Sequence, residues 1–300
     1  MKVAVTGASG LVGSTLVPFL TMGGHEVVRL VRRSPRGASE IGWDPARGEV
    51  DGAALEGVDA AVHLSGENVA GGRWTRARKA RIRHSRIDST QLLARTLAGL
   101  SRPPRVLVSV SGLNYYGSRG DEWLSEASAA GDGFLARLAV DWEAAAVSAA
   151  EAGIRVVHPR LGLVLSPAGG VLGKMLLAFR AGLGGVVGPG SQHMSWVAID
   201  DLLGALHHLL LDDALEGAVN VVAPEPVTNR VFTETLGRVL GRPTVMPVPA
   251  FALRLALGGE MADETLLASL RARPGRLEEG GYAFRFPSLE EALRHLLGRK

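Results

Sequence analysis

Three features of the chain predict an α/β fold with a doubly wound parallel sheet. The first is a strand-to-helix turn at its start. Val3, Ala4 and Val5 form a short apolar run, Gly7, Gly10 and Gly13 follow at the spacing G-x-x-G-x-x-G, and a helical pattern opens at Leu11 and runs to about Leu20. The second is the alternation of short apolar runs with helical stretches as far as Arg160. The third is a change of texture beyond Arg160, where glycine-rich loops and helical periodicity predict a smaller, mostly helical second lobe.

Each element follows in order. In the opening turn Gly7 permits the bend, Gly10 lets backbone come close to a ligand, and Gly13 lets the helix pack on the strand. Free N–H groups at the helix start then face an anion, most usefully a pyrophosphate, which makes Thr6, Gly7, Ser9, Gly10, Leu11 and Val12 candidate cofactor contacts. Residues 26–31 (EVVRLV) read as the second strand. In a dinucleotide-binding sheet the end of that strand meets the adenosine ribose, where an acid suits NAD and arginine suits the 2′-phosphate of NADP. Arg32 and Arg33 stand there, with no acid until Glu40, so NADP is the expected cofactor; a solvated basic turn is the alternative.

Residues 41–56 carry turn signals and one short strand, and 58–66 read as a third core strand ending in a small-residue turn. Leu64 and Gly66 become crevice candidates there, whereas His63 alternates with buried positions and is expected to be packed. The stretch 73–86 holds seven Lys/Arg and no acid, with Arg76, Lys79, Arg83 and Arg86 on one helical face. A solvated face, a nucleic-acid patch and one or two charges reaching a phosphate are the three readings, with Arg86 favoured for the last. A further strand at 106–110 leads into Ser111, Tyr115 and Tyr116 at crevice level. A helix over 134–151 buries Leu138 and Trp142, and the strand 154–159 delivers Arg160. The whole is a doubly wound parallel Rossmann sheet over 1–163. A mostly helical C-terminal substrate lobe over 164–300 contains a strand at 195–199 and helices at 171–181, 201–211 and 231–240, and some segments near 195–229 are expected to return to the first domain.

Composition narrows the function. Three hundred residues at 46% hydrophobic bury one large core or two modest ones. No cysteine is present, which excludes thiol catalysis, disulfides and cysteine-ligated zinc, and no metal site is expected. A net charge of +3 argues for no nucleic-acid partner. No apolar run approaches the ~18 residues of a membrane span, and no secretory signal is evident, so a cytoplasmic location is expected. The tail helices could pair two copies as a homodimer, although no dimer face stands out.

The motifs TGASGLVG (6–13), LSGEN (64–68), RW (73–74), SRIDST (85–90), YYG (115–117), WEAAA (142–146), GLGG (182–185), SWVAIDDL (195–202) and APEPVTN (223–229) occur in this order. In them the chain resembles the extended short-chain dehydrogenase/reductase superfamily, its sugar-nucleotide epimerase and dehydratase group. It is similar above all to the atypical branch of "epimerase family" proteins. The resemblance implies NADP(H) in the crevice, a small, nucleotide-sugar-like substrate, and Glu67, Arg86 and Arg160 approaching the cofactor alongside Arg32.

One departure stands out. The superfamily pairs Tyr with Lys at Tyr-x-x-x-Lys to exchange a proton during hydride transfer. Here the residues four beyond the three tyrosines are Arg119, Gly120 and Phe286, and the places expected for the pair, counted back from Trp142, hold Leu135 and Ala139. Ser111 matches the superfamily's serine. An oxidoreductase or epimerase would then use Ser111 with Tyr115 or Tyr116, given a positive neighbour such as Lys79 or an arginine, and His193 is a weaker proton donor candidate. The alternatives are ring packing for the tyrosines and, for the chain, a non-catalytic NADPH-binding sensor or partner-binding protein.

Overall fold

The computed structural model describes residues 1–299, leaving Lys300 outside. The first half alternates strand and helix: β1 (Lys2–Thr6), α1 (Gly13–Met22), β2 (Glu26–Val31), β3 (Glu40–Asp44), β4 (Glu49–Val50), β5 (Ala60–His63), α2 (Arg76–Ala98), β6 (Val106–Ser109), β7 (Ser111–Gly112), β8 (Trp123–Leu124), α3 (Phe134–Ala144), α4 (Val147–Glu151) and β9 (Arg155–Leu161). Helix α1 starts two residues later than its apolar pattern, because the turn uses Gly10 N–H to bond Gly7 C=O at 2.9 Å, and Ser14 N–H reaches back to Gly10. Two strands, not one, form in 41–56, β4 folding back antiparallel on β3. Helix α2 is capped by the Thr75 hydroxyl, which accepts from Arg78 N–H, and it runs well past the basic stretch. The single helix expected over 134–151 breaks at Ala145 and Ala146 into α3 and α4.

The second half comprises β10 (Leu163–Leu165), α5 (Gly170–Arg180), β11 (His193–Met194), β12 (Trp196–Ala198), α6 (Ile199–Leu211), β13 (Gly217–Val221), β14 (Val227–Thr228), α7 (Asn229–Leu240), α8 (Ala250–Leu257), α9 (Gly259–Glu264), β15 (Arg271–Ala272), α10 (Gly275–Glu279) and α11 (Leu289–Leu296).

The main sheet runs β13-β9-β6-β5-β1-β2-β3-β4, with β7 continuing beside β9, and every pair except β3–β4 is parallel. The chain winds outward from β1 through β2 and β3, then crosses back to β5 and onward. The reversal between β1 and β5 opens a crevice at their carboxyl ends. Strand periodicity sorts the two faces. Val3 and Val5 pack with Leu16 and Leu20 of α1 and Leu202 and Leu206 of α6, while Ala4 faces Leu93 and Leu97 of α2 and Ala149 of α4. Each such fully buried leucine contributes about 1.5–3 kcal/mol. The strand β13 joins the sheet at β9, so this part of the second half builds the first core. A separate core gathers Trp196, Phe232, Leu176 and Leu293 from β12, α7, α5 and α11. Among the described residues no helix is long and apolar enough to cross a membrane.

Candidate functional site

At the β1–β5 crevice the glycines have distinct tasks. Gly7 has φ +66°, and a Cβ there would lie 2.8 Å from the Leu64 carbonyl carbon. A Cβ on Gly13 would stand 2.3 Å from the Gly7 oxygen and 2.7 Å from Ala8 Cα, so its bareness seats α1 against the turn itself, where packing on the strand was expected. The Thr6 hydroxyl lies 2.8 Å from His63 Nδ1 and accepts from Leu64 N–H at 3.1 Å, tying the two strand ends together. His63 is wholly buried, and burial first, then the nearby Arg86 charge, lowers its pKa to about 3, so it is a neutral packed ring. Ser9 and Gly10 are exposed, and the N–H groups of Leu11 and Val12 find no acceptor among the described residues. Donors thus line the bend without partners.

The two arginines after β2 behave differently. Arg33 donates to both oxygens of Glu40, at 2.7 and 2.6 Å, while Arg36 N–H adds 2.8 Å and Arg29 closes at 2.9 Å. The Arg33 hydrogen bond, then that of the Arg36 backbone, holds the Glu40 carboxyl at about 2. Arg32 is exposed and has no ion pair or hydrogen bond to its guanidinium among the described residues. It borders a hollow of about 400 Å³ with Arg33, Trp43 and Arg47.

On the other rim, Leu64 is half-buried and Gly66 exposed. A Cβ on Gly66 would lie 3.1 Å from the Arg86 guanidinium. Arg86 stands 4.9 Å over the Trp142 ring and donates to the Glu67 carbonyl at 2.9 Å; burial lowers its pKa to about 10 against the pull of Glu67. The Glu67 carboxylate is held by Arg78, with Arg81 at 3.6 Å. The basic stretch is largely spent inside the chain: Lys79 pairs with Glu260 of α9, Arg83 with Asp141 of α3, and Arg73 donates to the Leu255 carbonyl at 2.6 Å. Lys79 is therefore committed to α9.

Beyond β6 the third group gathers. Ser111 is 3% exposed and its hydroxyl has no partner among the described residues; it is the register partner of Arg160. Tyr116 is fully buried, donates to Asn220 Oδ1 at 2.8 Å and accepts from Arg160 at 2.9 Å; burial raises its pKa against the opposing Arg160 charge. Arg160, 4% exposed, also donates twice to Glu143 at 2.8 Å and lies 3.4 Å over the Tyr115 ring. Burial opposes its charge, but the Glu143 hydrogen bonds and charge outweigh that and raise its pKa. Tyr115 is half-buried, edge-on to Tyr116 at 5.3 Å, and its hydroxyl has no partner among the described residues. Ser111, Tyr115, Tyr116 and Arg160 thus cluster, while Tyr116 and Arg160 satisfy each other. His193 lies beside Asp121 at 3.3 Å, and burial lowers its pKa.

A cleft of about 500 Å³ opens on the far side of Tyr116, lined also by Asn114, Leu135 of α3, and Asp263 and Glu264 of α9, with neither Ser111 nor Tyr115 in its lining. Leu135 and Ala139 are 6% and 3% exposed. Four residues important to this geometry were not singled out by sequence reasoning: Glu40 as a clamp, Glu143, Asn220 and Glu264. Glu143 sat in the WEAAA motif, whereas nothing local marks Asn220 or Glu264. Glu264 accepts from Phe134 and Leu135 N–H at 2.8 and 2.7 Å and so caps α3 from the second half of the chain.

Comparison with known proteins completes the picture. The chain matches the NAD dependent epimerase/dehydratase family over residues 3–222 and a domain of unknown function, DUF1731, over 248–296. It is 44% identical over 297 residues to an epimerase family protein of Mycobacterium bovis, covering 99% of this chain and 98% of that one. It is 38% identical over 300 residues to epimerase family protein SDR39U1 of Homo sapiens, covering 99% and 100%. The crystal structure of human SDR39U1 with NADPH aligns at TM-score 0.90 and 36% identity over 99% of each chain. A glycine-turn Rossmann crevice, these motifs in order and near end-to-end likeness agree: the chain belongs to the NAD dependent epimerase/dehydratase family.

Proposed function

We propose that this chain binds NADPH in the β1–β5 crevice and is an oxidoreductase acting on a small hydroxyl- or carbonyl-bearing substrate at Ser111 and Tyr115. The observation that carries the reading is Arg32 after β2, unpaired among the described residues, together with a glycine turn whose Leu11 and Val12 N–H groups have no acceptor there. The crystallisation of human SDR39U1, at 36% identity, with NADPH supports it. When bound, the nicotinamide supplies or accepts a hydride. Thr6, Gly7, Ser9, Gly10, Leu11 and Val12 cradle the pyrophosphate, and Arg32 meets the 2′-phosphate while Arg33 braces its loop through Glu40. Leu64, Gly66, Glu67 and Arg86 form the opposite wall. Ser111 Oγ hydrogen-bonds the substrate oxygen, Tyr115 exchanges the proton, and Tyr116 and Arg160 hold the Tyr115 ring. The second lobe, 164–300 apart from the segments near 195–229 that return to the first domain, covers the site.

A second reading is cofactor binding without turnover, and the apolar Leu135 and Ala139 at the places of the usual proton pair favour it. One titration tests the shared part. Wild type should bind NADPH more tightly than NADH, and Arg32→Ala should weaken NADPH by about 10- to 100-fold toward the NADH level, the size of a hydrogen bond to a charged group. Equal affinity of wild type for both would overturn the assignment.

A further inference from the structure

The segment that carries Arg32 has little of its own to hold it in shape. Strands β2 and β3 lie side by side in parallel, Arg29 opposite Glu40 and Val31 opposite Gly42, yet only residues 32–39 join them, with no helix between. Parallel neighbours usually need a crossover of about a dozen residues or more, most often a helix packed on the sheet. Here every residue from 32 to 39 is exposed, whereas Glu40 is buried. No apolar burial fixes the segment. Its main-chain bonds, Glu40 N–H to the Gly37 carbonyl at 3.0 Å and Arg29 N–H to the Ser39 carbonyl at 2.9 Å, secure only the end next to β3.

The Glu40 carboxylate holds the rest. It accepts from both η nitrogens of Arg33 and from the Arg36 N–H, and the Arg29 guanidinium closes on it at 2.9 Å. Arg33 Nη1 also donates to the Ser34 carbonyl at 2.9 Å. One buried carboxylate thus ties β2, residue 33 and residue 36 together, and the two-pronged pair with Arg33 fixes geometry as well as charge. Held at about 2, this carboxyl stays ionised through the neutral range. Arg32 stands between the end of β2 and the clamp, with its guanidinium unpaired among the described residues. Arg33 cannot take its place, because both of its η nitrogens are spent.

On the NADPH reading above, on which this rests, we propose that Glu40 is a positioning residue for cofactor selection: by taking Arg33 and the Arg36 N–H it shapes residues 32–39 so that Arg32 is presented to the 2′-phosphate. Charge alone predicts the opposite sign. Removing a carboxylate near a phosphate tightens phosphate binding, whereas removing this one loosens the arginine that reads it.

The experiment titrates Glu40→Gln, Arg33→Met and the double variant with NADPH and NADH by fluorescence, and follows trypsin cleavage after Arg36 in each. In Glu40→Gln the preference for NADPH over NADH should fall about tenfold, part of what loss of Arg32 itself would bring, while NADH affinity stays within about twofold of wild type. Arg33→Met should do the same. The double variant should be no worse than either single change, because both break one contact, and cleavage after Arg36 should quicken in all three. Tighter NADPH binding in Glu40→Gln, an unchanged preference in either single variant whatever its loss of stability in urea, or additive losses in the double variant would each overturn the proposal. If Glu40→Gln does not fold, Arg33→Met decides alone. Lost preference with faster cleavage bears the proposal out; lost preference with wild-type cleavage puts Arg33 on the phosphate itself and overturns it. Equal binding of NADPH and NADH by wild type sinks the NADPH reading and the role of Glu40 together, whereas a wild-type preference that survives Glu40→Gln sinks the role of Glu40 alone.

Discussion

The cofactor crevice and the cleft beyond it are built by opposite means. Around Gly7 the work is done by backbone: bare Cα positions, free N–H groups and one unpaired arginine. Around Tyr116 it is done by side chains locked to one another across long stretches of sequence, Glu143 to Arg160 to Tyr116 to Asn220. The first region waits for a partner. The second is already satisfied, apart from Ser111 and Tyr115. One chain therefore holds a backbone surface open to a ligand and a side-chain cluster closed on itself.

The largest test of that contrast lies in the Glu143–Arg160–Tyr116 cluster. Arg160→Met leaves the largely buried Glu143 carboxylate without its cation and should cost about 3–5 kcal/mol in denaturant unfolding, while NADPH affinity of the folded fraction holds. A loss of affinity larger than the loss of stability would place Arg160 at the cofactor instead. In the crevice, Gly13→Ala forces a Cβ onto the Gly7 oxygen. It should lower stability by about 2–3 kcal/mol and abolish NADPH binding in a thermal-shift titration; retained binding would mean that the turn is not the cradle.

Acid sharpens the contrast next. His63 has its pKa lowered from 6.5 to about 3, so the unfolded chain carries the extra proton between those values. Its contribution is complete above pH 6.5, shrinks as pH falls, and amounts to a loss of about 2 kcal/mol by pH 5. A His63→Gln chain should show a flatter stability profile over that window. An unchanged slope would locate the acid sensitivity elsewhere. The smallest effect belongs to Tyr115→Phe, which removes a hydroxyl that bonds nothing among the described residues. Stability should stay within ~0.5 kcal/mol while any substrate-dependent NADPH oxidation disappears; full activity would remove Tyr115 from the chemistry.

Legibility followed the same divide. The glycine turn, β2 and the arginine pair are local features, written within a few consecutive residues, and they could be read directly. That Arg33 is bound by Glu40 could not, because the acid lies on the neighbouring strand and meets it only in the folded sheet. Asn220 sits on a five-residue strand that opens with glycine, too short and too mixed to declare itself. Glu264 caps a helix that begins 130 residues earlier in the chain. The break between α3 and α4 falls in an alanine run with excellent helix propensity, where packing overrode local preference.

The capping of α3 bears on how the chain could change. Leu135 and Ala139 are two substitutions away from a Tyr-x-x-x-Lys pair. Yet Ala139 is enclosed, and a lysine there would need to shed its hydration. Leu135 lends its N–H to Glu264, so a tyrosine at 135 would arrive on a turn anchored by the far end of the protein. Introducing the pair by point mutation would therefore disturb a buried helix face and its anchor together.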